Sequence, residues 1–276
     1  MRENITRVKG AVQFVMAVER RFRGDDALMM AAALSYTSLL SLVPLLTIAL
    51  AILAAFPAFE PIRGELQGTL VRILVPEVGL QVRHIIDELI GNAGNLTAIG
   101  ILGLVVTALL LLVTIEDALN RIFRVVKPRP PMSRLMVYWT VVTLGPVLLA
   151  ASLSISEKLM LANAAQTLTG GGALIDMLSA LFRFSMLVAL FSLLYCAVPN
   201  RPVPVRDAIK GGLLAALAVA GLRVVFHVYV ADFRAYQSVY GALAAVPILL
   251  FWMYLLWVAV LVGAEFTASL VDRRET

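Results

Sequence analysis

The chain has one cysteine and two histidines in 276 residues. A lone Cys196 excludes an internal disulfide, and its apolar neighbours make it a packing residue. His84 and His227 are too few to build the cluster of His and carboxylate ligands that a metal-dependent nuclease needs around a water-accessible ion, and no HxHxDH-like string occurs. No metal is expected. Charge is scarce too: Asp, Glu, Lys and Arg make up 15% of the chain, hydrophobic residues 61%, and the mean hydropathy is +0.90. Soluble chains are roughly half apolar, so a soluble globular domain is excluded and an all-α integral membrane protein, one polytopic domain over residues 1–276, is expected. The net charge of +5 marks cytoplasmic loops in such a protein, so no nucleic-acid partner is inferred. The basic N-terminus lacks the short apolar core and cleavage site of a secretory signal. No nucleotide-binding loop is present, so ATP-driven work would require another subunit, and no cofactor is expected.

What the chain does have is long hydrophobic runs. The last, Tyr240 to Leu270, contains a single charged residue, Glu265, and exceeds the roughly 20 residues needed to cross a bilayer. The other helices are expected to assemble around it. Six spans are predicted, at 27–56, 96–115, 135–155, 177–198, 207–230 and 240–268. Before the first, Ile5 to Arg21 reads as an amphipathic helix on the membrane surface. Between the first two, 57–95 reads as an external cap of short amphipathic helices. The polar segment Glu116, Asp117, Asn120, Arg121 and the prolines 128, 130 and 131 are expected to end the second span. Ser156 to Asp176, with Gly170, Gly171 and Gly172, reads as a flexible loop. Pro44, Pro146 and Pro247 interrupt three spans. Sixteen of the 23 Lys and Arg residues fall on the side of the two termini and five on the other, which places both termini in the cytoplasm.

Charges inside spans are costly and mark candidate sites. Arg183 in the fourth span and Arg223 and His227 in the fifth form the first group. Two guanidinium forks at comparable depth could hold a phosphate or carboxylate, and the histidine could couple transport to protons. The alternative is that the arginines pair with acids or reach headgroups. Ser35, Tyr36, Ser38 and Ser41 precede Pro44 in the first span and form either a polar lining or helix-packing contacts. Glu265 is expected near the inner boundary, paired with Arg201, Arg206 or Arg121, or else serving as a proton-coupling carboxylate. Glu116, Asp117 and Arg121 form a gate or a plain helix end. Gly212, Ala216 and Ala220 make a small-residue seam that would suit bundle packing or a homo-oligomer equally.

Four stretches, ALSYTSLLSLVPLL from Ala33, EDALNRIFRV from Glu116, YCAVPNRPVPVRDAIKGG from Tyr195 and VYGALAAVPILLFWMYLLWVAVLVGAE from Val239, resemble in this order the YihY/virulence factor BrkB family of bacterial inner-membrane proteins. The resemblance implies a six-span bundle and a role at the cell envelope, as a transporter or envelope factor. Some members once carried a ribonuclease label, which the two histidines here do not support. Two sets of three spans in opposite senses, with broken helices, fit a transporter. The expectation is therefore a non-enzymatic inner-membrane transporter or flippase-like protein for an anionic solute or lipid, with Arg183, Arg223 and His227 facing an internal cavity. The alternative is a non-transporting envelope factor that binds lipid or a partner protein.

Overall fold

The computed structural model describes residues 2–55, 98–127, 129–141, 143–144, 172–231 and 245–275. The cap expected over 57–95 and the outer part of the third span lie outside them. Among the described residues there are seven helices and no strand: α1 (Arg2–Gly24), α2 (Ala27–Ala55), α3 (Ala98–Ile122), α4 (131–141), α5 (Gly172–Ala197), α6 (Val205–Ala231) and α7 (Ala245–Glu275). Three of these are long and apolar enough to cross a membrane, over Met177–Ala197, Val205–Val228 and Val246–Arg274. Large apolar side chains such as Met29, Trp139 and Val224 stand exposed on the outside, as a hydrocarbon surround requires.

α7 touches α1, α2, α3, α5 and α6. Its buried side chains Trp252, Val260, Leu261, Ala264 and Ala268 run along much of its length. It is apolar on all sides, the pattern of a helix surrounded by other helices or lipid. Pro247, expected to break this span, stands in the first turn of α7, where a missing N–H removes no helical hydrogen bond.

Glycine lets α6 lie between α5 and α7. A Cβ on Gly211 would fall 1.7 Å from Thr267 Oγ1 and 2.7 Å from the Gly263 carbonyl of α7. One on Gly212 would fall 2.8 Å from the Val188 carbonyl of α5. The small-residue seam is thus occupied within the chain at Gly212 and Ala216, whereas Ala220 is exposed. The buried Tyr195 hydroxyl donates to the Val260 carbonyl at 2.7 Å and joins α5 to α7.

Two helix ends differ from the sequence expectation. α3 runs to Ile122, so Glu116, Asp117 and Asn120 are helical. It stops before the prolines, because Arg124 adopts φ 54°. The Arg124 N–H then bonds the Arg121 carbonyl at 3.1 Å and the Val125 N–H bonds that of Asn120 at 2.9 Å. This is the paired closure of a Schellman end. α5 begins at Gly172, so the last part of the expected loop, through Asp176, is helix; the apolar run Ala173, Leu174, Ile175 continues the span's own pattern.

The glycine contacts predict opposite signs for the same change. Gly211→Ala should lower the melting temperature of the detergent-purified protein, at an overpacking cost of about 1–3 kcal/mol. Gly221, whose Cβ would meet nothing within 4 Å, should tolerate alanine or gain up to about 1 kcal/mol. Equal melting points for the two variants would contradict this packing.

Candidate functional site

The helix ends gather polar side chains into two networks. In the first, Glu116 on α3 is 1% exposed. An apolar wall on every side would make that carboxylate costly, and three groups offset the cost. Arg134 Nε stands 3.0 Å from Glu116 Oε2, the buried Tyr138 hydroxyl donates to the same oxygen, and Asn120 Nδ2 approaches Oε1 at 3.5 Å. Arg134 and Tyr138 lie one turn apart on α4, so the same face delivers both. Arg134 also reaches Asp117 Oδ1 at 3.3 Å.

Asn120 carries the network onward. Its Oδ1 accepts the Asn200 N–H at 2.8 Å, while Asn200 Nδ2 donates to the Lys127 carbonyl at 2.9 Å. Arg129 closes the ring by donating to Asn200 Oδ1 at 3.2 Å and to the Pro199 carbonyl at 3.1 Å. Through Asn120, named above in the polar segment of the second span, the α5–α6 turn is thereby bonded to the α3–α4 turn by Asn200 and Arg129, which the sequence reading did not single out. Their signal was compositional only: an Asn among prolines, opposite a loop rich in Arg.

The second network surrounds Glu265, which is fully buried. The cation beside it is Arg21, with Nε 3.3 Å from Oε2, and not the expected Arg201, Arg206 or Arg121. Arg21 also pairs with Asp272 and donates to the Ile122 carbonyl at 3.0 Å. Arg201 instead meets Asp272 Oδ1 at 2.8 Å and the Phe123 carbonyl at 3.1 Å. Arg121 meets Asp26 at 2.8 Å, and Arg206 is exposed. A signal for Arg21 was available: it follows Phe14 by two helical turns and so shares its face, and Phe14 packs edge-on against Phe266 of α7 at 5.4 Å. A further buried acid, Asp207, faces Arg274 at 3.0 Å.

The hydroxyls of α2 are held in helix contacts. Ser38 Oγ accepts the Trp257 indole N–H at 2.9 Å, Ser41 Oγ donates to the Thr107 carbonyl at 2.9 Å, and Ser35 Oγ donates to the Ala32 carbonyl of its own helix at 2.8 Å. Ser35, Ser38, Ser41 and Pro44 are buried, while Tyr36 is exposed. Arg183 on α5 and Arg223 and His227 on α6 are exposed side chains on two helices that pack along each other. Val224, Val225 and Val228 are exposed beside the latter two. A pocket between α4, α5 and α7, lined by Val141, Leu190, Leu194, Leu256 and Trp257 among others, is apolar. It offers an anion nothing.

Different costs should follow from the first network. Tyr138→Phe removes a hydrogen bond to a buried carboxylate and should destabilise the purified protein by about 1.5–3 kcal/mol. Asp117→Ala, at an exposed position, should cost less than about 1 kcal/mol. Thermal or denaturant unfolding in detergent distinguishes them, and an Asp117 effect as large as that of Tyr138 would contradict the burial described.

Comparison with known proteins sets this geometry in a family. The family described as Virulence factor BrkB matches residues 18–276. A UPF0761 membrane protein of Alkalilimnicola ehrlichii is 46% identical over 262 residues, which cover 95% of this chain and 59% of that protein. One from Rhodospirillum centenum is 40% identical, with 97% and 60% covered. One from Photobacterium profundum is 38% identical, with 97% and 84% covered. The chain thus spans only 59% and 60% of the first two relatives. No solved structure matches it. With a match that takes in nearly the whole chain, this membrane protein belongs to the Virulence factor BrkB family.

Proposed function

We propose that the chain is the membrane-embedded part of a non-enzymatic inner-membrane transporter or flippase-like protein for an anionic solute or lipid. In this reading it has six spans and both termini in the cytoplasm, an orientation supported by the distribution of Lys and Arg. One observation carries the proposal: Arg183 of α5 and Arg223 and His227 of α6 are exposed on two helices that pack along each other, with Val224, Val225 and Val228 exposed beside the latter two. A charge at the level of the membrane marks a candidate site, and the planar fork of a guanidinium suits a phosphate or carboxylate. Counting from the inner ends of α5 and α6, Arg183 stands roughly 21 Å and Arg223 roughly 27 Å along the helices, in the outer half of a ~30 Å hydrocarbon core. Apolar surroundings favour a lipid, whose chains tolerate that environment, over a small hydrophilic anion.

A second reading, a non-transporting envelope factor that binds lipid or protein, draws support from a different observation. The Ser38 and Ser41 hydroxyls, which could have lined a conduit, are engaged with Trp257 and the Thr107 carbonyl.

The two readings part in liposomes. Reconstituted protein should move labelled phosphatidylglycerol between leaflets faster than labelled phosphatidylcholine. Arg183→Ala and Arg223→Ala should each slow it about tenfold, the equivalent of one charge-assisted hydrogen bond. Binding of phosphatidylglycerol without movement would favour the envelope factor. Movement unaffected by either substitution would remove the arginines from the site.

A further inference from the structure

The cavity between α4, α5 and α7 has a volume of about 200 Å³, larger than the ~150 Å³ of an apolar cavity that stays dry and takes up benzene. Every side chain that lines it is apolar, from Val141 of α4 through Leu190 and Leu194 of α5 to Leu256 and Trp257 of α7. The one polar atom among them, the Trp257 indole nitrogen, already donates its hydrogen to Ser38 Oγ. Water needs several polar partners to settle in such a place and finds none. Left empty, the walls forfeit the dispersion contacts that a filled cavity would give. Apart from Phe191 and Val260, the lining side chains are partly exposed, so the cavity opens at the surface of the bundle. α4 and α5 expose Leu135, Trp139, Leu178 and Leu181, a surface that calls for hydrocarbon against it.

The phase of α5 says what kind of hydrocarbon. Arg183, Leu187, Leu190 and Leu194 follow one another at alternating steps of four and three residues and share one helix face. The exposed Arg183 therefore stands two turns outward from Leu190, in line with the cavity. From Arg183 to Leu194 is roughly 16 Å along the helix. One leaflet of acyl chain is about 15 Å deep, half of the hydrocarbon core. We propose that the cavity holds an acyl chain of an anionic phospholipid whose phosphate meets Arg183.

For its headgroup this rests on the anionic-lipid reading above; it adds the part of the lipid that gives binding its depth. The guanidinium offers the phosphate two parallel N–H donors, and the chain runs down α5 from there, past Leu187 and Leu190, until its far half lies against Leu194 and the Trp257 ring. A small hydrophilic anion would use the arginine and leave the cavity empty. A neutral hydrocarbon would fill the cavity and leave the arginine without a phosphate. Only a molecule with both parts, spaced by the length of one chain, uses both.

The test uses phosphatidylglycerol with bromine on its acyl chains, added to the full chain purified in detergent. The protein carries Trp139→Phe, which removes an exposed indole; Trp252 is buried against Phe226, so Trp257 is the reporter that a bound chain can touch. Quenching should saturate at one lipid per protein and be deeper with bromine in the far half of the chain than beside the headgroup. Arg183→Ala should weaken binding about tenfold, the equivalent of one charge-assisted hydrogen bond. Val141→Phe with Leu190→Phe, which fills the cavity, should abolish the saturable signal; if that pair fails to fold, the dependence on bromine position still decides. Equal quenching at every position, a signal that never saturates, or full quenching in a folded protein with the cavity filled would overturn the site. So would binding indifferent to Arg183→Ala. Saturable quenching in a protein that moves no lipid between leaflets upholds the site and removes transport alone, whereas movement without such quenching overturns the site and leaves the transport reading standing.

Discussion

A carboxylate removed from water inside a membrane-length helix costs several kcal/mol unless a cation reaches it, and Glu265 is such a group. That requirement shapes one end of the bundle. α7 cannot be surrounded by apolar helices alone, because one of its neighbours must bring an arginine. α1 supplies it through Arg21, whose other donors then take Asp272 and the Ile122 carbonyl at the end of α3. Arg201 adds the α5–α6 turn through the same Asp272. One buried charge thereby sets where four separate segments meet.

The rest of the bundle follows a different logic. Beside the ionic contacts, helices meet by close approach of backbones, with Gly211 and Gly212 presenting neighbouring faces of α6 to α7 and α5. Single hydroxyl bonds, from Tyr195 to Val260 and from Ser41 to Thr107, join helices at chosen heights. Lipid provides no hydrophobic force between helices, so association relies on such tight contacts and on sparse polar bonds.

The two networks also explain why charged residues that look alike in the chain differ in role. Glu116 and Asp117 are neighbours on α3, yet the helix turns one into the core and the other to solvent. Arg121 and Arg129 belong to the same basic stretch, but Arg121 answers Asp26 across the α1–α2 turn, while Arg129 binds the peptide oxygens of the α5–α6 turn. Their value is positional, and a conservative exchange at either place removes a specific bond rather than a quantity of charge.

Much of this was legible in the chain. Long uncharged runs can only be helices that satisfy their own backbone, so the helical class, the membrane setting and the segments that became α5, α6 and α7 follow from hydropathy and length. Arg183, Arg223 and Glu265 stand, as counting along the chain places them, on helices long and apolar enough to cross a membrane. The partners did not follow. Periodicity tells which face of a helix a residue occupies, but the cations near the inner boundary look equivalent until the helices cross at definite angles. Only tertiary packing decided that Arg21 meets Glu265, that Tyr138 and Arg134 close over Glu116, and that the first-span hydroxyls are spent on helix contacts. Location was written in composition, because transfer into lipid is a sum over residues; pairing was not, because a hydrogen bond depends on a distance of a few tenths of an ångström between segments far apart in the chain.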